Sequence, residues 1–202
     1  MHSSSLIRRA VNVLGPWTLC GVLSTVGMAG VATLQGCAGN PYGYARQYKP
    51  SGDEEPYYER IGEPGTEVTY EEVRRDPTAL SGKLLGWFGI VTGAKRLPDG
   101  RVQLALDLRF HQPRHLCTDQ FESSCRVTIS DRVGGPFSTT LRLDSDDESG
   151  SERLNVGSLV RVYGPPTGEF DERGGPVIKA DFYRHWPHGA YVTTGSGGAM
   201  RR

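Results

Sequence analysis

The sequence predicts an all-β domain, a small barrel of about five coiled strands that follows one short helix. Residues 102–110 alternate between apolar and polar side chains, which is typical of a half-buried antiparallel strand. The other apolar stretches are short, and glycines interrupt them where strands bend or coil. The chain also contains 27 Gly and 13 Pro, which favours turns and short strands over long helices.

The short helix is predicted directly before the strands. Thr69 and Glu72 have the T-x-x-E spacing of a capping box, in which each residue satisfies a backbone N–H group of the other. Asp76 precedes Pro77, and a residue before proline is disfavoured in the helical region. We therefore expect a helix of one or two turns over residues 70–75.

Five segments have the pattern of strands. The clearest is 102–110, in which Val102, Leu104, Leu106, Leu108 and Phe110 are predicted to face inward. The others are 83–92, 126–130 with its continuation 137–143 after Gly134-Gly135-Pro136, 156–164 and 176–183. Loops are predicted between them at 111–124, 144–152 and 165–175.

Two of these segments support a family resemblance. They are Gly82–Val91 (GKLLGWFGIV) and Gly157–Gly164 (GSLVRVYG), and Gly174–Trp186 adds to the pattern. Over residues 68–187 the arrangement resembles an OB-fold, a five-stranded barrel. It is similar to bacterial OB-type lipoproteins, including the Slp family of outer-membrane lipoproteins. That resemblance implies an envelope stress or maintenance protein with no enzymatic role.

The N-terminal residues have the features of an export signal. Arg8 and Arg9 give a positive start, and residues 10–34 contain no charged side chain. The run Leu34-Gln35-Gly36-Cys37 follows, and it resembles the lipobox of bacterial lipoproteins. The resemblance implies cleavage before Cys37, a diacylglyceryl group on its sulfur and an amide-linked acyl chain such as palmitate. Two or more chains hold a protein firmly on a membrane.

Two other interpretations of the N-terminus remain open. About 20 apolar residues can span a bilayer, so an uncleaved anchor is one alternative and plain secretion is the other. Several glycines and Pro16 make residues 10–34 a poor helix by propensity. The position after Cys37 is Ala38, where an inner-membrane retention signal of enterobacteria has Asp. By that analogy the protein is expected at the outer membrane, facing the periplasm.

The predicted organisation has four parts. They are a signal peptide at 1–36, a flexible tether at 37–66, the OB-like barrel at 67–187 and a flexible tail at 188–202. The tether mixes proline, glycine, tyrosine and charge without periodicity. Such a segment buries too little apolar surface to offset its ordering entropy.

Charge bears on the expected partners. The 202 residues contain 23 basic and 23 acidic side chains, and removal of 1–36 leaves 166 residues with a formal charge near −2. A nucleic-acid-binding domain usually has a basic excess. We therefore expect no nucleic acid as partner. The expected partners are the membrane, through acylated Cys37, and an envelope protein or a glycan.

The cysteines give one further constraint. Cys20 lies in the leader and Cys37 is expected to be acylated, which leaves Cys117 and Cys125. One remaining pair in an exported chain predicts a disulfide. With His111 and His115 the pair could instead form a tetrahedral zinc site, although the spacing H-x3-H-x-C-x7-C is unlike a zinc finger. We favour the disulfide and expect no cofactor.

A candidate ligand surface lies at the end of the last predicted strand. Tyr183, Arg184 and Trp186 could stack on a sugar or peptide and form hydrogen bonds with it. The alternative, which we favour, is that Tyr183 and Trp186 cover the bottom of the barrel. The acidic run 144–152 lacks the Gly and Glu positions of a calcium-binding EF-hand loop, so we expect a solvated loop.

No serine-hydrolase, P-loop or zinc-protease motif occurs in the sequence. We therefore predict a non-enzymatic, lipid-anchored envelope protein that acts as a binding or structural module. The alternatives are an OB module that binds oligonucleotides or oligosaccharides, and a metal-binding domain built on His111, His115, Cys117 and Cys125.

Overall fold

The structure, a computed structural model, is described for residues 44–62 and 67–195. The predicted leader and Cys37 lie outside these residues. The strands are β1 (Tyr44–Gln47), β2 (Leu85–Arg96), β3 (Val102–His111), β4 (Arg114–Cys117), β5 (Cys125–Leu141), β6 (Leu159–Gly164), β7 (Pro166–Phe170), β8 (Pro176–Lys179), β9 (Phe182–Trp186) and β10 (Tyr191–Thr193). The helices are α1 (Glu55–Arg60), α2 (Tyr70–Arg75) and α3 (Ser145–Glu148), and a 3-10 turn spans Glu122–Ser124.

Strand pairing runs from β2 in two directions around a curled sheet. On one side, β2 pairs antiparallel with β3, and β3 pairs antiparallel with β5. On the other side, β2 pairs with β6, and β6 pairs with β9. β10 follows β9 after four residues and pairs parallel with β5, so the chain between β9 and β10 joins the two sides of the sheet. This arrangement confirms the predicted all-β, OB-like barrel.

Helix α2 confirms the predicted capping box. The Thr69 hydroxyl accepts a hydrogen bond from the Glu72 backbone N–H at 3.3 Å, and the Glu72 carboxylate accepts one from the Thr69 N–H at 2.8 Å. The helix ends at Asp76, next to Pro77. Val73 points from this helix into the core, so α2 closes one part of the barrel.

The structure departs from the predicted strand pattern at several positions, and one of them is the predicted loop 165–175, which contains β7. Residues 126–143, predicted as two pieces, form the single long strand β5 up to Leu141. Residues 176–183, predicted as one strand, divide between β8 and β9. The predicted loop 111–124 contains β4. Phe110 is 41% exposed rather than inward, because the pairing of β3 with β5 shifts register beside it.

Two glycines allow β5 and β6 to approach neighbouring groups more closely than a residue with a Cβ atom could. Gly135 has a φ of 144°, and a Cβ there would lie 2.4 Å from the ring of Tyr70. The Tyr70 hydroxyl can therefore reach the carbonyl of Pro136 at 2.9 Å. At Gly164, a Cβ would lie 1.7 Å from the carbonyl oxygen of Lys179. Only glycine allows β6 to end in contact with the turn between β8 and β9.

The two faces of the sheet have separate apolar clusters. The larger cluster fills the barrel interior and includes Trp87, Leu106 and Phe137. The smaller cluster lies on the outer face and includes Phe88, Ile129, Leu159 and Trp186, together with Tyr48. Trp87 and Phe88 belong to different clusters because successive side chains of a strand point to opposite faces.

Residues 44–62, which we call the strap, cover part of the outer face. These residues belong to the predicted tether 37–66, but they contain β1 and α1. β1 pairs antiparallel with β4, and the ring of Tyr57 stacks on Phe182 with 4.9 Å between ring centres. The strap orders because its tyrosines find apolar partners on the barrel, which local composition does not reveal.

The sheet also extends beyond the predicted barrel limit at residue 187. Strand β10 lies within the predicted tail 188–202, and Val192 is buried on it. The backbone N–H of Thr194 donates to the carbonyl of Ile129 at 3.0 Å. Among residues 44–62 and 67–195, no helix has the length and apolar character needed to cross a membrane.

Candidate ligand-binding groove

A buried arginine, Arg161, occupies the middle of β6 on the outer face and is 1% exposed. Its Cζ atom lies 4.6 Å from the ring centre of Phe88 and 4.8 Å from that of Tyr163. Tyr58 and Tyr48 complete an aromatic cage at 5.1 and 5.2 Å. Ring faces attract a cation most strongly when water is excluded, so the cage stabilises the buried charge.

The counter-ion is Glu54 of the strap, which is 0% exposed. One of its carboxylate oxygens lies 3.5 Å from Arg161 Nη1 and accepts hydrogen bonds from the hydroxyls of Tyr163, at 2.6 Å, and of Tyr48. The other oxygen accepts from Arg184 Nη1 at 2.7 Å. Burial raises the pKa of Glu54, but the hydrogen bonds from Tyr163, Tyr48 and Arg184 outweigh burial and hold this pKa below its ordinary value. Glu54 therefore fastens the strap as a carboxylate.

The two predicted histidines lie beside this cage and face each other. Nε2 of His111 lies 3.1 Å from Nε2 of His115, and the His111 ring stacks on Phe88 with 4.5 Å between ring centres. Burial, followed by the charge of Arg161 and by His115, lowers the pKa of His111 to about 3. Burial and the charge of Arg184 lower the pKa of His115 to about 4. Both imidazoles are therefore neutral at neutral pH.

The predicted disulfide between Cys117 and Cys125 is confirmed, and the zinc alternative is not supported. The two sulfur atoms are bonded, with 3.9 Å between the Cα atoms at a directly paired position of β4 and β5. A disulfide has no thiolate to offer a metal. Within the described part of the chain, no group of three or more His, Cys, Asp or Glu side chains could hold a metal ion.

An open groove of about 760 Å³ lies between the strap, α2 and the barrel. Six of its sixteen lining residues are Tyr, Trp or Phe, and its charged side chains are two arginines and Glu67. Residues that define it are Tyr48, Tyr58, Trp87, Phe88, Arg109 and Phe110. This is a volume typical of a small-ligand site, and such sites are usually apolar with a few polar groups.

The groove exists because β3 separates from β2. The two strands pair from Phe88 opposite Arg109 onward, and His111 at the end of β3 pairs with Ile129 of β5 instead. In the described ladders, the start of β2 at Leu85 pairs with β6 and not with β3. The gap leaves the ring of Phe110, which is 41% exposed, and the half-buried ring of Tyr58 accessible in the groove, whereas Phe88 and Trp87 beside it are buried.

The three residues predicted as one ligand surface are divided by the sheet. Arg184 and Trp186 share the outer face, with 4.8 Å between the Arg184 Cζ atom and the Trp186 ring centre. Tyr183 points the other way, and its hydroxyl donates to Asp147 at 2.6 Å. Trp186 is buried against Phe88 rather than presented to solvent. Alternation along β9 separates them, so they do not form a single stacking surface.

The acidic loop is better ordered than the sequence suggested. Asp147, at the end of α3's first turn, accepts from Tyr183 and lies 2.9 Å from Nδ1 of His185. Burial raises the pKa of Asp147, but the hydrogen bonds from His185 and Tyr183 hold it below its ordinary value. This cluster fastens the loop to β9 and lies apart from the groove lining.

Arg161, Glu54 and Tyr48 are the central residues that the sequence did not reveal as a site. Arg161 had one usable signal, since it is a single charge within the otherwise apolar strand β6. A charge at such a position must find a partner when the strand is buried. Glu54 and Tyr48 had no comparable signal, because their partners on the barrel, Tyr163 and Arg184, lie more than 100 positions away in the chain.

Comparison with known proteins gives no family assignment. No protein-family model matches the chain, and no curated protein matches it. Among solved structures, the chain is similar to the protein priB from Ralstonia solanacearum, with 12% identity and a TM-score of 0.26 over 51% of this chain and 94% of the other. It is also similar to a deletion mutant of the single-stranded DNA binding protein from Thermus aquaticus, with 18% identity and a TM-score of 0.27. That match covers 54% of this chain and about half, 52%, of the other.

One prediction about partners is corrected by this comparison. We expected no nucleic acid as partner, yet a structural neighbour is a single-stranded DNA binding protein, so that exclusion is wrong and is withdrawn. The exclusion failed because a net charge near zero does not describe how charges are grouped on one face. At these identities and TM-scores, no ligand is transferred from the neighbours to this chain.

Proposed function

We propose that the chain is a lipid-anchored protein of the bacterial cell envelope and that its OB-like barrel is a non-catalytic binding module. The groove between strap and barrel is the observation that supports binding, since it offers ring faces next to arginine side chains. The lipobox-like run Leu34–Cys37 and the Ala38 that follows support an acyl anchor at the outer membrane, with the domain in the periplasm.

The chemistry of the groove favours an elongated ligand with flat faces. Aromatic rings stack on the apolar faces of sugars, peptides and bases, while arginine supplies directional donors. The two arginines in the lining, Arg161 and Arg109, differ in their availability. Arg161 is occupied by Glu54 and the carbonyl of Gly86. Arg109 is partly exposed and donates from one Nη atom to the carbonyl of Asp131. A glycan strand or a peptide of the envelope fits this description.

Single-stranded nucleic acid is the second candidate ligand. Phe110 projects into solvent at the groove and has the Arg132 guanidinium 5.3 Å from its ring centre. A ring of this kind beside basic groups is the usual platform for an unpaired base. Such binding depends strongly on salt, whereas stacking on a neutral sugar does not.

Substitution of Phe110 tests the groove. The probes are a soluble peptidoglycan fragment, which carries sugars and a peptide stem, and an oligothymidylate at low salt, with affinity measured by calorimetry. One stacked base contributes about 1–3 kcal/mol, so we expect Phe110→Ala to weaken binding of the active probe by about 5- to 150-fold.

Phe170→Ala is the matched control, because Phe170 is 48% exposed on β7, away from the groove lining. It should leave the affinity unchanged. Failure of both probes to bind, or an equal loss in the two variants, would reject the groove as the binding site.

A further inference from the structure

The proposed anchor and the folded barrel are joined by a short piece of chain. Strand β1 begins at Tyr44, only seven residues after Cys37. An extended chain advances at most about 3.6 Å per residue, so β1 starts within about 25 Å of the acylated sulfur. The full tether predicted at 37–66 would have allowed about 100 Å. The proposed acyl anchor at Cys37 would therefore hold the region around β1 close to the membrane.

The strand pairing identifies which surface lies nearest to that point. Tyr44 pairs with Cys117 at the end of β4, and Cys117 pairs with Cys125 at the start of β5. Residues 118–124, which we call the tip loop, join these two cysteines. The tip loop thus lies beside the first residue of β1, at the end of the barrel to which the anchor leads.

The tip loop presents one exposed aromatic side chain on a hydrogen-bonded backbone. Phe121 is 63% exposed. Its backbone N–H donates to the Asp119 carboxylate at 2.7 Å, and its carbonyl accepts from the Ser124 hydroxyl at 2.8 Å. The Arg46 guanidinium also donates to the carbonyl of Gln120 at 2.6 Å, which ties the loop to β1. A loop backbone ordered in this way loses little conformational freedom when its side chain enters an interface.

The charge around the tip loop suits an anionic lipid surface. Residues 44–50 and 114–126 contain two acidic side chains, Asp119 and Glu122, and four basic ones, which are Arg46, Lys49, Arg114 and Arg126. The region is positive although the chain after residue 36 has a formal charge near −2. Basic side chains near a membrane are attracted to anionic phospholipids, and an adjacent aromatic ring can insert at the headgroup boundary.

We propose that the tip loop is a second membrane contact and that Phe121 inserts into the phospholipid leaflet that holds the Cys37 acyl chains. The proposal rests on the proposed lipid anchor for its geometry. It fixes the orientation of the barrel, with the tip loop toward the lipid and β7–β8 away from it.

Tryptophan fluorescence in the full chain, produced with its own leader, tests this orientation. Phe121→Trp and Phe170→Trp are each reconstituted into vesicles of phosphatidylethanolamine and phosphatidylglycerol with brominated acyl chains, which quench tryptophan at short range. The unsubstituted protein gives the background from its own tryptophans. We expect loss of the added emission for Phe121→Trp and retained emission for Phe170→Trp. Phe170 lies on β7, which pairs with β8, and β8 pairs with β5 at residues 138–140, far along the strand from Cys125.

Two further measurements distinguish failure of the tip-loop contact from failure of the acyl anchor. They are the intact mass of the protein and the same quenching experiment on the Cys37→Ser variant. An acylated mass with equal quenching at both positions overturns the tip-loop contact and leaves the anchor standing. An unmodified Cys37 with selective quenching of Phe121→Trp on anionic vesicles overturns the anchor and supports the tip loop. With Cys37→Ser, selective quenching should persist on anionic vesicles. If quenching is unselective and the mass is unmodified, both proposals fail.

Discussion

At the scale of single residues, the outer face is governed by buried polar groups that satisfy one another. Arg161 would be costly to bury alone, but four rings and Glu54 surround it. The two histidines beside the cage avoid the cost of burying a charge because their lowered pKa values keep them neutral. The packing of the outer face therefore requires Glu54 to be ionised and both histidines to be neutral.

The histidine pair predicts a stability that falls with acidification from near pH 6.5. The unfolded chain protonates His111 and His115 near their ordinary pKa of 6.5, whereas the folded chain does so only near 3 and 4. Between those values the unfolded state binds more protons, so the free energy of unfolding decreases as pH falls. The expected slope is about 1.4 kcal/mol per pH unit for each histidine.

Urea denaturation between pH 4.5 and 7.5 measures this slope. The double variant His111→Gln/His115→Gln should flatten it, and His188→Gln, at an exposed position, should not. An unchanged slope in the double variant would show that the pair does not control acid stability. Glu54 has a lowered pKa, so protonation of its carboxylate reduces the free energy of unfolding only at more acidic pH.

At the scale of elements, the strap is the unexpected part of this fold. It has few backbone pairings with the barrel itself, since β1 pairs with β4 and α1 pairs with nothing in a sheet. Its attachment therefore depends on side chains, above all on Glu54 and on the tyrosines around Arg161. Because Tyr48 and Tyr58 also line the groove, the strap and the ligand site depend on each other.

Glu54→Gln is expected to release the strap. Removal of one partner from a buried ion pair costs up to about 3–5 kcal/mol. Here it leaves Arg161 with the more distant and more exposed carboxylate of Glu67, 3.9 Å from its Nη2. We expect faster hydrogen exchange at the amides of α1 and a lower free energy of unfolding. Glu55→Gln, at the exposed neighbouring position, should change stability by no more than about 0.5 kcal/mol. Equal exchange in the two variants would show that the carboxylate does not fasten the strap.

At the scale of the whole molecule, residues 182–193 join the two sides of the curled sheet. β9 pairs with β6 and β10 pairs with β5, so one continuous stretch of chain joins the two sides of the sheet. Closure matters because an open edge leaves backbone groups unpaired and invites strand pairing with other chains.

Two truncations test the closure. A chain that stops after Pro187 lacks β10 and the buried Val192, and we expect a cooperative loss of stability together with a tendency to aggregate. A chain that stops after Gly195 retains β10 and should unfold at the same temperature as the full chain. Thermal unfolding followed by circular dichroism separates the two. Equal unfolding temperatures would mean that residues 188–195 are dispensable for the barrel.

Sequence reasoning succeeded where the information is local. The capping box of Thr69 and Glu72 was confirmed because its partners are three residues apart. The disulfide was confirmed because counting left one pair of cysteines. The three residues of the predicted ligand surface do not lie together, since Tyr183 and Arg184 are neighbours in sequence but lie on opposite faces of β9. The Arg184 side chain instead contacts Tyr48 and Glu54 of the strap.

The sequence alone determined the all-β class, the short capped helix, the disulfide and the alternation of β3, because each follows from spacing between near neighbours. The tertiary structure decided that a tether-like segment becomes a strap, that Arg161 is caged by Glu54 and aromatic rings, and that a groove opens where β3 leaves β2. Such contacts join residues up to 136 positions apart, as between Tyr48 and Arg184. Their energy depends on burial and mutual orientation, which exist only once the chain has folded.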